Sequence, residues 1–449
     1  IMGVYLTLTA AVTEFNTRGV SGPVTFLLVD SLYNEAGHVL GQMQINGNLI
    51  FPTSTVNTLT IRPAANLNPR IQFNTVNACL VVQTANVIIQ GSNTGTGTSR
   101  NLTITNLLTG GLLFVATADN VVIRNTIIEG NSRTTSSFGV VYDNSVNGLF
   151  DNNIVRKSNF GFQSQNNVRN ITVSNNFFGS GVDTLKLQNA GVNIFSTNGF
   201  RVENNTITGL LRSATSSTAG IVVGVVAGGV DAQNGTITRN RITDIKQTGT
   251  GANGFGAFGI RLTAFMANSN ITISNNVIAD IQSVGDNGFL LNPHGIYITE
   301  GGGYRIYNNS INLFGNIDGT TGTAGQLITH PVVGGITLTS GTLINNIELL
   351  NNSITNNLTM TSAAGRSYAI FLFRPNSAIR LSDYNNLFVT GTQGVIGYAS
   401  SANRLTFADW RAGSERDANS VSADPAYTDN TNLAPNLASV NAWTLNGNG

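Results

Sequence analysis

A chain of 449 residues with 23 basic and 22 acidic side chains carries a net charge of +1, and charged residues are 10% of it, against about a quarter in an ordinary soluble protein. That balance excludes nucleic acid and anionic membrane as electrostatic partners; 41% hydrophobic residues exclude a disordered chain, and with no run of about 18 apolar residues a spanning helix is excluded too. Gly, at 50 residues, and about 60 Asn stand in place of the missing charge, a composition that favours turns and strands over helices.

The first element is predicted over Thr7-Leu8-Thr9-Ala10-Ala11-Val12-Thr13-Glu14-Phe15-Asn16, a helix with Leu8, Val12 and Phe15 on one stripe and Gly19 as its stop. Val24-Thr25-Phe26-Leu27-Leu28-Val29 then reads as a buried strand. Together they form an expected N-terminal cap over 1–49. Four strand phrases follow: Thr58-Leu59-Thr60-Ile61, Ile71-Gln72-Phe73, Leu80-Val81-Val82 and Val87-Ile88-Ile89-Gln90-Gly91.

From Ile104 onward one phrase recurs: an apolar residue, a polar one, Asn or Arg, Asn, then apolar again. Its last Asn falls at 106, 125, 153, 176, 205, 240, 276, 309, 352 and 386, at separations of 19 to 43 residues. Each interval is one coil of a solenoid plus a variable insertion. Before the Asn the pattern alternates, as in Ile271-Thr272-Ile273-Ser274, so apolar side chains face a lumen and hydroxyls face out. The Asn is placed at the bend, where it tolerates a left-handed backbone and pairs with its copies as a ladder. With the four earlier strands this gives roughly a dozen coils over 50–400, a rod on the order of 60 Å long at about 4.8 Å per coil. Insertions rich in Gly, Ser, Thr and Ala lie at Gly209 to Gly229, Thr248 to Phe258 and Gly315 to Leu327. They hold Phe255, Phe258 and Asp318, the aromatic and acidic types that a sugar or metal site needs. A C-terminal cap is expected over 401–449, with Leu405-Thr406-Phe407-Ala408-Asp409-Trp410-Arg411 as a helical turn laying an aromatic over the last coil and loop beyond Asp424-Pro425. Cys79 is the single cysteine and closes no disulfide within the chain.

Both ends resemble a known group. Tyr5-Leu6-Thr7-Leu8-Thr9-Ala10-Ala11-Val12 running to Gly19-Val20-Ser21-Gly22-Pro23-Val24, the phrase Thr58-Leu59-Thr60-Ile61-Arg62-Pro63-Ala64, and Ser382-Asp383-Tyr384-Asn385-Asn386 followed by Phe407-Ala408-Asp409-Trp410 and Asp417-Ala418-Asn419-Ser420 are similar to the right-handed parallel β-helix repeat proteins exported by Bacteroidota and their relatives. The resemblance covers the whole chain. It implies an all-β, right-handed parallel β-helix of the pectin-lyase-like superfold, and a surface, adhesive or matrix role. In that group Ala442-Trp443-Thr444-Leu445-Asn446-Gly447 leads on to a sorting domain for type IX secretion, so this chain is expected to be part of something longer.

Hydrolases of the superfold resemble one another in Asp-Asp, Gly-His-Gly and Arg-Ile-Lys phrases, none of which occurs here. The nearest candidates for chemistry are Asp143 with Asp151, 8 residues apart, and Asp183 with Lys186. His38, His294 and His330 are scattered without ligand spacing. Asn-x-Ser/Thr triplets at Asn101, Asn170, Asn234, Asn270 and Asn357 follow from the repeat, and Asp30-Ser31-Leu32 and Asp183-Thr184-Leu185 match a three-residue O-glycosylation acceptor. No catalytic, cofactor-binding or metal-binding residue is assigned, and no cofactor. The expectation is a non-enzymatic extracellular structural module of a surface layer, fibre or adhesin. Its partners would be copies of itself, other surface proteins or polysaccharide. The alternatives are a polysaccharide lyase or glycoside hydrolase, and a glycan-binding adhesin without turnover.

Overall fold

The computed structural model describes residues 3–40, 44–45, 48–49, 53–133, 137–213, 216–225, 229–249, 255–284, 291–317, 332–338, 344–360 and 365–434. Among the described residues short strands pass in rotation through three sheets of 12, 13 and 13 strands, parallel except for the last strand of the third (Ala402–Arg404), the right-handed parallel β-helix that the repeat implies. Two compact units divide the chain. The first is Ile1–Gln188 with Val192–Thr206 and Val226–Val230; the second is Asn189–Gly191 with Ile207–Val225 and Asp231–Gly449.

Alternation fills the lumen. In the first unit the first sheet sets Ile61 beside Ile89, then Ile123, Phe150, Val173 and Val202, one per coil, and none of these is more than 1% exposed. In the second unit Ile237, Ile273, Ile306 and Leu349 make the corresponding column, all at 0%. Each such side chain contributes about 1.5–3 kcal/mol of burial, and the register that aligns them is fixed because a slip of one residue would turn every one of them to solvent.

The corner between the first and second sheets divides two tasks that the sequence places on one Asn. The first residue of each pair takes the left-handed backbone: φ is 53° at Asn152, 57° at Asn175 and 57° at Asn275, and even Arg239 and Tyr384 adopt it. The second residue turns inward and forms the ladder. In the second unit Asn240, Asn276, Asn309, Asn352 and Asn385 each donate Nδ2 to, or accept on Oδ1 from, the next at 2.9–3.1 Å; Asn153, Asn176 and Asn205 do so in the first. Three expected rungs are therefore displaced. Asn125 is a left-handed residue (φ 60°) and Thr126 takes the inward place, its Oγ1 donating to Asn153 Oδ1. Asn386 follows the corner, and Asn106 lies at a different one, donating to Thr75 O. A second left-handed row that the phrase does not mark, Asn86, Asn120, Asn147 and Asn170, enters the first sheet and pairs amide to amide at 3.1–3.2 Å.

The third sheet has its own irregularity. A Cβ on Gly259 would sit 2.4 Å from Ile278 Cγ2 and 2.5 Å from Gly295 O, and Gly295 is equally crowded by Gly335 O. The strand bends over this glycine, so Phe258 shares the outward face with Arg261, three residues on, rather than with its second neighbour.

Helix α1 (Leu8–Arg18) buries Leu8, Ala11, Val12 and Phe15, with Thr7 Oγ1 accepting from Ala10 N and Glu35 accepting from Leu8 N and Thr9 Oγ1. Helix α2 (Phe407–Ser414) opens on a capping box between Thr406 and Asp409. It sets Trp410, fully buried, against Gly397, with Trp410 Nε1 donating to Asp417 Oδ2 at 2.8 Å. The last rung, Asn385, donates to Asp417, and the chain then straps back over the second sheet. Asn386 brackets Ala423, Tyr427 Oη meets Ser353 Oγ at 2.7 Å, Asn312 donates to Asn430 O and Arg241 to Thr431 O.

Candidate functional site

Parallel stacking turns residues about thirty apart in sequence into neighbours, and on the outward face of the third sheet it assembles side chains unlike those elsewhere. In the first unit Phe114, Phe138 and Phe160 are half-buried, with centroids 6.1 and 6.2 Å apart and the last two rings 15° from parallel. Beside them Val141 registers with Gln163 and Asp143 with Gln165. The polar groups form one chain: Asn193 donates to Gln163 Oε1 at 3.2 Å, Gln163 to Gln165, and Gln165 and Asn166 to Asp143 Oδ2 at 2.9 and 3.1 Å. Fixed amides beside aromatic faces are the usual lining of a ligand groove, and rings present an apolar face that stacks on the C–H face of a pyranose.

In the second unit the third-sheet strands set Val222, Arg261, Tyr297, Thr337, Phe371 and Tyr398 in register, with Tyr297, Thr337 and Phe371 buried. Phe258, His294 and Tyr297 stack within 8° of parallel at 4.5–5.6 Å, His294 Nδ1 lies 2.9 Å from Thr337 Oγ1, and the Arg261 guanidinium rests 5.4 Å from the Phe258 centroid. Burial holds Arg261 below the usual guanidinium range, opposed by the neighbouring Tyr297, and its Nε has no protein partner. Phe371 stacks on Tyr398 at 4.7 Å and on Phe373 at 6.2 Å, with Phe373 41% exposed. Tyr368 packs edge-on to Phe371, donates to Asn403, and is pushed up to about 12 by burial.

The residues singled out from sequence are dispersed. Asp143 lies on this face, but Asp151 ends a strand of the first sheet, where it accepts from Ser174 and Asn175; the two do not flank one corner. Asp183 and Lys186 form a 3.2 Å ion pair across a single helical turn, Asp183 77% exposed. Such a pair contributes little. Phe258 belongs to a strand (Ala257–Leu262) and is buried, and Gly209 to Gly229 contains the strand Thr218–Gly224, so neither is loop. His330 and Asp318 lie outside the described residues, as does the side chain of His38. Among the described residues no three His, Cys, Asp or Glu side chains gather as metal ligands would, and no helix is long and apolar enough to cross a membrane.

No family model matches the chain, and no curated protein matches it in sequence. Solved structures do. The mannuronan C-5 epimerase AlgE6 A-module of Azotobacter vinelandii is 17% identical over 93% of this chain and 94% of its own, with a TM-score of 0.51. The AlgE4 A-module of the same organism is 14% identical over 92% and 94%, with a TM-score of 0.44. The Dettilon tailspike protein is 13% identical over 88% of this chain and 64% of its own, with a TM-score of 0.44. At these identities the likeness is one of fold, a right-handed parallel β-helix. It nevertheless corrects the functional expectation. The epimerase module with a TM-score of 0.51 matches 93% of the chain, so the fold that suggested a non-enzymatic structural module is also the fold of an enzyme module. Neither the inert module nor its self-association stands on that fold.

Proposed function

We propose that this protein is a carbohydrate-active enzyme that lays a polysaccharide along the outward face of the third sheet's strands in the first unit. The observation that carries the reading is the row of half-buried Phe114, Phe138 and Phe160 beside the linked Asp143, Gln163, Gln165 and Asn193. Stacking surface for sugar rings stands there next to amides that both donate to and accept from hydroxyls. Its reaction is proton transfer at a uronate rather than hydrolysis. Hydrolysis asks for paired carboxylates across the sugar, and among the described residues the first unit's face brings Asp143 alone. The second unit's Arg261, Tyr297 and His294 stand together but are packed into the protein, Tyr297 at 3% and His294 at 0% exposed, which leaves Asp143 as the group that would move the proton. Mannuronan, named for the epimerase modules of similar fold, is a polymer of such uronates. The location that suits this substrate is extracellular or periplasmic, consistent with the exported chains that the sequence resembles.

The test is retention on a panel of polysaccharides by affinity electrophoresis, with new unsaturated ends and altered uronate stereochemistry read by NMR. Phe138→Ala with Phe160→Ala is expected to weaken retention at least tenfold. Retention of no polysaccharide, with no turnover of polyuronates, would refute the proposal.

A further inference from the structure

The first unit holds a second cleft, away from the third sheet. The segment between the strands Val87–Gln90 and Leu102–Asn106 leaves the coil and lies along the corner of the first and second sheets. There Gly97 O accepts from Asn125 Nδ2 at 3.0 Å and Thr98 O from Asn152 Nδ2 at 2.8 Å. Arg100 anchors the excursion, its Nε donating to Asn152 O at 2.8 Å and its Nη2 to Asn152 Oδ1. The cover stops at that rung. On the next two coils the corner is open, and a cleft of about 330 Å³ is lined by Arg100, Arg156, Asn175, Phe177 and Gly181, among others, with the carboxylates of Glu129 and Asp151 behind the lining, on Arg156 and Asn175.

Both guanidinium groups are clamped by one edge. Arg156 gives Nε and Nη2 to Glu129 Oε2 at 2.8 and 2.6 Å, as Arg100 gives its own to Asn152. Among the described residues neither Nη1 has a partner, and both side chains are half-buried rather than enclosed. Two pre-positioned cationic donors are the form of site that holds an oxyanion. The remaining wall points to a saccharide as its carrier. Phe177 is a half-buried ring, exposed Asn175 has Nδ2 committed to Asp151 and Oδ1 left to accept a hydroxyl, and nothing within 4 Å stands over Gly181.

We propose that this cleft is a second, non-catalytic binding site for a saccharide unit bearing an oxyanion, a carboxylate or a sulfate ester, and that it anchors acidic polysaccharide independently of the third-sheet face. The experiment is calorimetric titration of the whole chain with tetragalacturonate, a sulfated glucan tetrasaccharide and neutral cellotetraose. It is run on the wild type, on Phe138→Ala/Phe160→Ala, and on that variant with Arg100→Gln and Arg156→Gln added. The third-sheet variant is expected to keep one class of acidic-saccharide sites, and the added arginine changes to weaken it at least tenfold; whichever acidic probe binds assigns carboxylate or sulfate. Arg100→Gln alone leaves the Glu129 pair intact and is expected to weaken that class in the same direction, which controls for misfolding. Binding unchanged by the arginine substitutions, equal binding of cellotetraose, or no acidic-saccharide sites left in the third-sheet variant would overturn the inference. Failure of the third-sheet reading would instead appear as wild-type binding unaltered by the phenylalanine substitutions.

Discussion

Truncation of one ladder rung, Asn276→Ala, isolates what the asparagine column contributes. The Asn276 amide donates to Asn309 Oδ1 and to Ile237 O, both at 2.9 Å, and its Oδ1 accepts from Asn240 N and Asn240 Nδ2 at 3.0 Å. The site is 1% exposed, so water does not replace what is lost. Asn240 Nδ2 keeps a bond to Thr238 O, and Asn309 Oδ1 keeps the backbone N–H of residue 276. One buried backbone group, Asn240 N–H, is left without a partner, while Ile237 C=O keeps its place in the strand ladder, and the expected loss is about 1–3 kcal/mol. The neighbouring Asn275 is the control: exposed, with φ at 57°, it bears only the left-handed backbone. Asn275→Ala is expected to lose about 1 kcal/mol and Asn275→Gly close to nothing. Urea unfolding reads all three as shifts in midpoint at constant slope, and hydrogen exchange should show lost protection first at residues 237–240. An Asn276→Ala midpoint shift no larger than that of Asn275→Ala would refute the ladder as a source of stability.

Other consequences follow from the same geometry. Gly259→Ala drives a methyl to 2.4 Å from Ile278 Cγ2 and 2.5 Å from Gly295 O, an overpacking expected to lose about 1–3 kcal/mol; a variant as stable as the wild type in thermal unfolding would contradict the close approach. Trp410→Ala uncovers Gly397 and removes the donor to Asp417, with an expected loss of about 3–5 kcal/mol, read as early exchange of the strand Gly394–Ala399. Burial pushes the Tyr427 phenol up to about 12, above an unfolded value near 10. The fold thus favours the protonated form, and its contribution is complete below about pH 10 and lost between there and about pH 12. The Tm advantage of the wild type over Tyr427→Phe should accordingly be present at pH 8 and gone by pH 12; an advantage constant across that range would count against the buried contact with Ser353.

The repeat is legible in the chain because its causes are local. Side chains alternate along a strand with period two, and a left-handed corner selects Asn wherever it recurs. Ile271-Thr272-Ile273-Ser274-Asn275-Asn276 therefore announces a strand, its inward face and its turn without reference to anything distant. Even so, the phrase does not divide bend from ladder between Asn275 and Asn276, because that depends on where the amide of Asn309 lies in the next coil. The helical stripe Leu8, Val12 and Phe15 is readable for the same local reason.

The third-sheet face is not readable in this way. Arg261, Tyr297 and Phe371 are tens of residues apart, in insertions and strands of unequal length, and they become one row only when each coil stacks in register on the last. The single local trace is the residue before a glycine, as in Phe138-Gly139, Phe160-Gly161, Phe258-Gly259 and His294-Gly295, where strict alternation would have turned the ring inward. Crowding between neighbouring coils forces the glycine and bends the strand, and the bend carries the ring to the outside. Local stereochemistry thus determined the coil, and the contact of one coil with the next decided which side chains share one face.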